Sequence, residues 1–228
     1  MPQLVLIRHG QSAWNLENRF TGWWDVGLTP KGEEEAKQAG ELLAAKGFDF
    51  DLAFTSLQTR AIKTLHIVLE AMGRLWIPEE KHWRLNERHY GGLTGLDKAE
   101  TAGRHGDEQV RIWRRSFDIP PPAMEPGGDF DLTNDRRYAG IPIPTYESLK
   151  DTIARVLPYW EERIAPALKD GRRVVISAHG NSLRALVKHL SNIADDEIVA
   201  LEIPTGQPVV YDLDEDLNAI ERYFLKDR

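Results

Sequence analysis

Two short apolar runs at opposite ends of the chain finish in the same dipeptide. Leu4-Val5-Leu6-Ile7 leads into Arg8-His9-Gly10, and Arg173-Val174-Val175-Ile176-Ser177 leads into Ala178-His179-Gly180-Asn181. Runs this short and this uniformly apolar fit strands buried on both faces. The segments between them alternate in period. Thr29-Pro30 supplies a helix N-cap and a first-turn proline, and Ala36, Ala39, Leu42 and Leu43 then share one face before Gly47. Asp51 to Thr55 reads as a second strand, followed by Ala61, Leu65, Val68, Leu69 and Met72 at helical spacing. A long helix is expected over 146–169, with Leu149, Ile153, Leu157, Trp160, Ile164 and Leu168 on one side and a kink or break at Pro158 and Pro166. Another helix carries Leu183, Leu186, Val187 and Leu190, and strands are expected at 208–213 and 222–225. Strands alternating with helices predict an α/β fold: a three-layer, open, mostly parallel sheet flanked by helices.

Residues about 90–145 interrupt that rhythm with basic clusters, Pro120-Pro121-Pro122 and Gly127-Gly128, and a helix is expected near 107–117. An insertion of this length suits a lid over the C-terminal edge of the sheet, and the alternative is a surface excursion. The 228 residues are expected to form a single domain, 1–228, that includes it. No run approaches the ~20 apolar residues of a membrane span, and no signal-peptide pattern precedes Leu4, so a cytoplasmic location is expected. Cysteine is absent, which removes disulfides and thiolate chemistry. Asp plus Glu outnumber Lys plus Arg by 36 to 29, a net charge of −7 that argues against nucleic-acid binding. Positive charge for an anionic ligand must therefore be gathered locally.

Both His-Gly turns sit where open α/β sheets bind ligands, just beyond strand C-termini. Each glycine is expected to let backbone approach a ligand, and each turn to open a helix whose amides favour an anion. Metal binding is one use for two histidines, but no carboxylates cluster beside them and the neighbouring arginines repel cations. Arg8 and Arg60, the latter in Ser56-Leu57-Gln58-Thr59-Arg60 after the second strand, match phosphate oxygens instead. One imidazole can then act as a nucleophile on phosphorus while the other groups stabilise the equatorial oxygens. Glu87, at the end of another strand-like run, is the candidate acid/base.

Leu6-Ile7-Arg8-His9-Gly10-Gln11-Ser12-Ala13-Trp14-Asn15 resembles the signature of the histidine phosphatase (phosphoglycerate mutase-like) superfamily. The segments 19–29, 87–93, 96–101 and 106–115, together with Ser177-Ala178-His179-Gly180-Asn181-Ser182-Leu183-Arg184 and Ile203-Pro204-Thr205-Gly206, resemble its cofactor-dependent phosphoglycerate mutase branch. The resemblance spans almost the whole chain. It implies that His9 is the nucleophile, carried as a phosphohistidine, and that Glu87 is the proton donor and acceptor. Arg8, Arg60, His179 and the Gly180-Asn181 amides would hold the transferred phosphoryl group, with Ser12 and Asn15 beside it. Thr21, Gly22, Arg88, Tyr90, Lys98, Arg114 and Arg115 would grip the rest of the substrate. The implied reaction interconverts 3-phosphoglycerate and 2-phosphoglycerate, primed by 2,3-bisphosphoglycerate and without metal. A phosphatase or bisphosphoglycerate synthase of the same superfamily, or a non-catalytic phosphoanion-binding protein, are the competing readings. The resemblance also implies a homodimer or homotetramer, and scattered aromatics such as Trp76 and Trp83 are candidate interface residues. The sequence stops soon after Tyr223-Phe224-Leu225, where many family members continue in a mobile tail, and the mutase activity is expected not to depend on one.

Overall fold

The computed structural model describes residues 1–228. Six strands form one sheet: β1 (Gln3–Arg8), β2 (Leu52–Thr55), β3 (Glu79–Lys81), β4 (Val174–Ala178), β5 (Pro208–Leu213) and β6 (Ala219–Phe224). Their order is β3-β2-β4-β1-β5-β6, and β5 alone runs against the rest. Leu4 to Ile7 are fully buried because both faces of β1 are covered. Leu4 and Leu6 join the larger core, against α6 (Leu149–Tyr159) and α8 (Gly180–Leu190). Val5 and Ile7 join the second core, against α2 (Pro30–Ala45) and α3 (Thr59–Ala71). The three expected layers are thus present. No helix is long and apolar enough to cross a membrane.

The parallel register decides where the functional residues go. Arg8 pairs with Ala178, and Thr55 with Ser177, so His9, His179 and Ser56 leave three adjacent strands at one level. The break in strand order lies there too, with β1 and β4 side by side although far apart in sequence.

Several expectations change on contact with the structure. The 149–169 helix does not break at its prolines. A five-residue wide turn at Trp160–Ile164 joins α6 to α7 (Ala165–Lys169), and this looser turn absorbs the N–H that Pro166 lacks and the bulk of its ring. Glu87 does not end a strand: β3 stops at Lys81, and a short turn at Trp83–Leu85 intervenes. The 90–145 segment holds two helices, α4 (Lys98–His105) and α5 (Asp107–Arg115), parted by Gly106 at φ +84°. Trp83 is half-buried against Trp23, ring centroids 6.1 Å apart, whereas Trp76 is 75% exposed. A four-residue helix, α1 (Ala13–Leu16), follows the first His-Gly turn, capped by Ser12.

Candidate active site

A cavity of about 360 Å³ opens beyond the C-terminal ends of β1 and β4. Arg8, Arg19, Arg60, Lys98, Arg114, Arg115 and Arg184 line it, against only two carboxylates, Glu87 and Glu202. Seven cations less two anions is a local excess of five positive charges on a chain whose net charge is −7. A small polyanion is the complement of such a cavity. No three His, Asp or Glu side chains converge in a metal-ligating group.

His9 lies at the floor, 2% exposed, with its N–H bonded to the Ala178 carbonyl so that it extends the β1 ladder. Its Nδ1 lies 2.7 Å from the Gly10 carbonyl. A carbonyl only accepts, so Nδ1 carries the proton and Nε2 keeps its lone pair. Burial, and then the charges of Arg60 and Arg8, hold the imidazole pKa well below its usual range, so the ring is neutral at pH 7. His179 stands behind His9 with ring centroids 5.0 Å apart, fully buried and outside the cavity lining itself. Burial, Arg60 and His9 keep it neutral as well. Its Nε2 sits 2.8 Å from Ser56 Oγ, which also accepts from the Gln58 N–H at 3.1 Å. The Ser56 hydroxyl proton has no other acceptor and goes to His179 Nε2. That leaves the proton of His179 on Nδ1, which is buried and unpaired.

Arg60 is 1% exposed and is aimed by two carbonyls: Nη1 donates to Trp24 at 3.0 Å and Nη2 to Gly22 at 2.9 Å. The Gly22 carbonyl also accepts from Gln58 Nε2 at 2.8 Å. Arg8 donates through Nη1 to the Ile203 carbonyl at 2.9 Å, and its Nε is buried without a partner.

Glu87 is 8% exposed. Its loop is fixed from beneath by Arg155 of α6, which donates to the carbonyls of Arg84 (2.6 Å), Asn86 (3.1 Å) and Glu87 (2.8 Å). Arg155 is ion-paired with buried Glu147 at 2.5 Å, and Glu147 accepts from the His89 N–H at 2.8 Å. A buried pair survives desolvation only when its remaining donors and acceptors are met, as they are here. Glu87 Oε1 accepts from the Arg88 N–H (2.7 Å), Asn181 Nδ2 (2.9 Å) and the Asn181 N–H (3.2 Å). Oε2 makes no such bonds. It lies 3.6 Å from the point a Cβ would occupy at Gly180, as do Arg8 Nε and Cζ, so Gly180 keeps this space open.

Other sequence candidates fall into two groups. Asn15, Thr21, Gly22, Tyr90, Lys98, Arg114, Arg115, Gly180 and Asn181 line the cavity. Lys98 is brought in because residues 18–20 pair with 95–98, including Lys98 N–H to the Asn18 carbonyl at 2.9 Å. Burial lowers the Lys98 pKa. Burial opposes ionisation of Tyr90, but the Arg88 guanidinium, 4.7 Å from its ring centroid, and Lys98 together lower the phenol pKa. Arg115 is ion-paired with Glu202 across the rim.

Ser12 and Arg88 do not line the cavity. Ser12 is spent on the α1 cap, accepting from the Asn15 N–H at 3.2 Å. Arg88 is fully buried and donates to the carbonyls of Trp113 and Arg114, tying down the end of α5. The Asn181 amide, expected to hold phosphate, donates to Glu87 Oε1 in this structure, since the positive end of α8 favours a carboxylate equally well. Gly10 has another role than expected. A Cβ there would collide with the Gly32 carbonyl, and one at Gly32 with Gln11, so this glycine serves a backbone contact with α2. Arg184, Gln58 and Ser56 were not singled out by sequence reasoning, since none stands in a His-Gly turn or the basic insertion.

The pattern for the histidine phosphatase superfamily (branch 1) matches residues 4–226. The chain belongs to the histidine phosphatase superfamily. Within this superfamily, it is 72% identical over 228 residues to the 2,3-bisphosphoglycerate-dependent phosphoglycerate mutase of Novosphingobium aromaticivorans, covering all of both chains. It is 73% identical, again with both chains fully covered, to the protein of the same name in Sphingopyxis alaskensis. Among solved structures, mycobacterial glucosyl-3-phosphoglycerate phosphatase in complex with VO3 shares the superfamily fold. Its TM-score is 0.75 at 24% identity, over 98% of this chain and 97% of that one. A mycobacterial hydrolase gives a TM-score of 0.71 at 26% identity, over 92% of this chain and 91% of that one.

Proposed function

We infer that this protein is a 2,3-bisphosphoglycerate-dependent phosphoglycerate mutase, interconverting 3-phosphoglycerate and 2-phosphoglycerate. The observation that carries this reading is a neutral His9, with Nε2 free, in a cavity with five excess positive charges. The close relatives bearing that enzyme name support it. The buried, unpartnered donors on Arg8 and His179 fit an anionic ligand.

In the proposed mechanism His9 Nε2 attacks the phosphorus of the ester, and the bond to the ester oxygen breaks. Glu87 Oε2, the oxygen without donors, protonates that departing oxygen to give a hydroxyl. In the reverse transfer Glu87 Oε2 takes the proton from the attacking hydroxyl as the phosphorus–Nε2 bond breaks. Bound 2,3-bisphosphoglycerate supplies the phosphoryl group that first loads His9. Arg8, Arg60 and the Nδ1–H of His179 stabilise charge on the equatorial oxygens. They are already oriented by carbonyls and by Ser56, so little reorganisation accompanies the transfer. Lys98, Arg114 and Arg115 hold the second phosphate and carboxylate, and the insertion acts as the lid that keeps water from the phosphohistidine.

The test is conversion of 3-phosphoglycerate by pure protein in EDTA, with and without trace 2,3-bisphosphoglycerate. Conversion stimulated by the bisphosphate is expected. Release of inorganic phosphate without 2-phosphoglycerate would make the protein a phosphatase instead.

A further inference from the structure

Arg184 is a cavity-lining cation with no part in the mechanism above. It lies on α8, 4% exposed, and burial first, then the like charges of Arg88 and Arg115, lower its pKa to about 10. Both of its bonds go to neutral amide oxygens. Nη1 donates to Asn181 Oδ1 at 2.9 Å, and Nη2 to the Ile198 carbonyl at 2.6 Å. Asn181 and Arg184 are three apart on one helix and so share a face.

A guanidinium can only donate. The Asn181 atom that faces it must therefore be the oxygen, which turns Nδ2 toward Glu87 Oε1. Without that constraint the Asn181 amide could turn over. Its oxygen would then face a carboxylate oxygen, two acceptors in contact. We propose that Arg184 is a positioning residue that acts through Asn181: it fixes the amide so that Glu87 Oε1 stays held and Oε2 alone handles the proton. This rests on the role given to Glu87 above. Two of the three Arg184 nitrogens are committed to the protein, which favours positioning over direct contact with substrate.

The charged and titratable groups around Glu87 are Arg8 at the end of β1 and His9 just after it, Arg60 on α3, Arg155 on α6, and His179 and Arg184 at α8. Tyr90 and Arg88 belong to its own segment. Removing Arg184 changes both the amide constraint and the local charge, and a double-mutant cycle separates the two. The Glu87 Cδ resonance of 13C-labelled protein, assigned with Glu87→Gln, is recorded at one fixed pH in wild type, Arg184→Met, Asn181→Ala and the double variant. In the wild-type background Arg184→Met should displace this resonance clearly, through loss of the Asn181 Nδ2 donor to Oε1. In the Asn181→Ala background the shift should be clearly smaller. Equal shifts in both backgrounds would mean a through-space charge effect and overturn the proposal. Arg184→Lys, which keeps a donor and the charge, should return the resonance toward its wild-type position. Arg184→Gln carries the same comparison where the methionine variant does not fold.

With 3-phosphoglycerate, Arg184→Met should lower kcat on the order of tenfold with KM nearly unchanged. A raised KM at unchanged kcat would instead make Arg184 a substrate-binding group. The resonance measurement needs no substrate. A wild-type protein that fails to convert 3-phosphoglycerate would thus sink the functional reading and leave the positioning result standing or falling on its own.

Discussion

The floor of the cavity and the insertion above it are built by opposite means. The floor residues His9, Arg60 and His179 are at most 2% exposed, and each is aimed by a backbone carbonyl or a buried hydroxyl. The insertion packs Leu93 and Val110 into a small cluster with Phe20 from outside it, and presents its cations on partly exposed side chains. Arg115 is held by an ion pair whose partner, Glu202, is 68% exposed. Pairs of that kind contribute little and exchange readily with water. The difference implies a division of labour. In the proposed mechanism, the groups that must not move during phosphoryl transfer sit where the sheet fixes them, and those that must release a product sit where little holds them.

The largest test of this division is His9→Ala. Turnover should vanish, and mass spectrometry after incubation with 2,3-bisphosphoglycerate should find no phosphoryl adduct, while circular dichroism shows a folded protein. An adduct on another residue would remove His9 from the floor's chemistry. Glu87→Gln comes next, with kcat down by ~10²–10⁴-fold and substrate binding retained. Wild-type turnover there would excuse Glu87 from proton transfer. Replacing both Arg114 and Arg115 by Ala removes charge from the insertion alone. Bonds to charged groups contribute about 1.5–3 kcal/mol, so kcat/KM for 3-phosphoglycerate should fall on the order of 10²-fold. Loading of His9 by a small phosphoryl donor such as p-nitrophenyl phosphate should be little affected. Equal losses in both assays would erase the distinction between the two regions.

The smallest effect is on stability. Buried His9 and His179 have pKa values well below the 6.5 of an exposed histidine, so below about pH 6.5 the unfolded chain binds protons that the folded one does not. Stability should therefore fall on acidification, by about 1.4 kcal/mol per pH unit for each such histidine. Buried His89, lowered to about 4 chiefly by burial, adds to this between pH 6.5 and 4. Urea unfolding at pH 7.5 and 5.5 measures it, and His9→Ala should flatten the slope. An unchanged slope in that variant would mean that His9 does not stay neutral in the folded state.

The floor was largely legible because its residues stand in short motifs at the ends of strongly apolar strands. Arg8, His9 and His179 needed only the observation that parallel strands deliver their C-termini to one edge. Arg184 escaped because an arginine on an amphipathic helix reads as a solvated face, and only the packed structure shows it buried. β3 escaped because Glu79-Glu80-Lys81 carries no apolar signal, its pairing being purely backbone. At Pro166 the expected irregularity takes the form of the wide turn Trp160–Ile164 rather than an end to the helix. Gly10 was noticed for the wrong neighbour: the pattern shows that a side chain is missing, not which surface occupies the space.

That last contact bears on any effort to retarget the pocket. At Gly10 and Gly32 two stretches of main chain touch with nothing between them. An alanine scan would score both positions as intolerant although neither meets a ligand, and a designer grafting the His9 loop onto another scaffold would have to carry the start of α2 with it. The smallest transplantable unit of this site is a loop and a helix joined at two missing side chains.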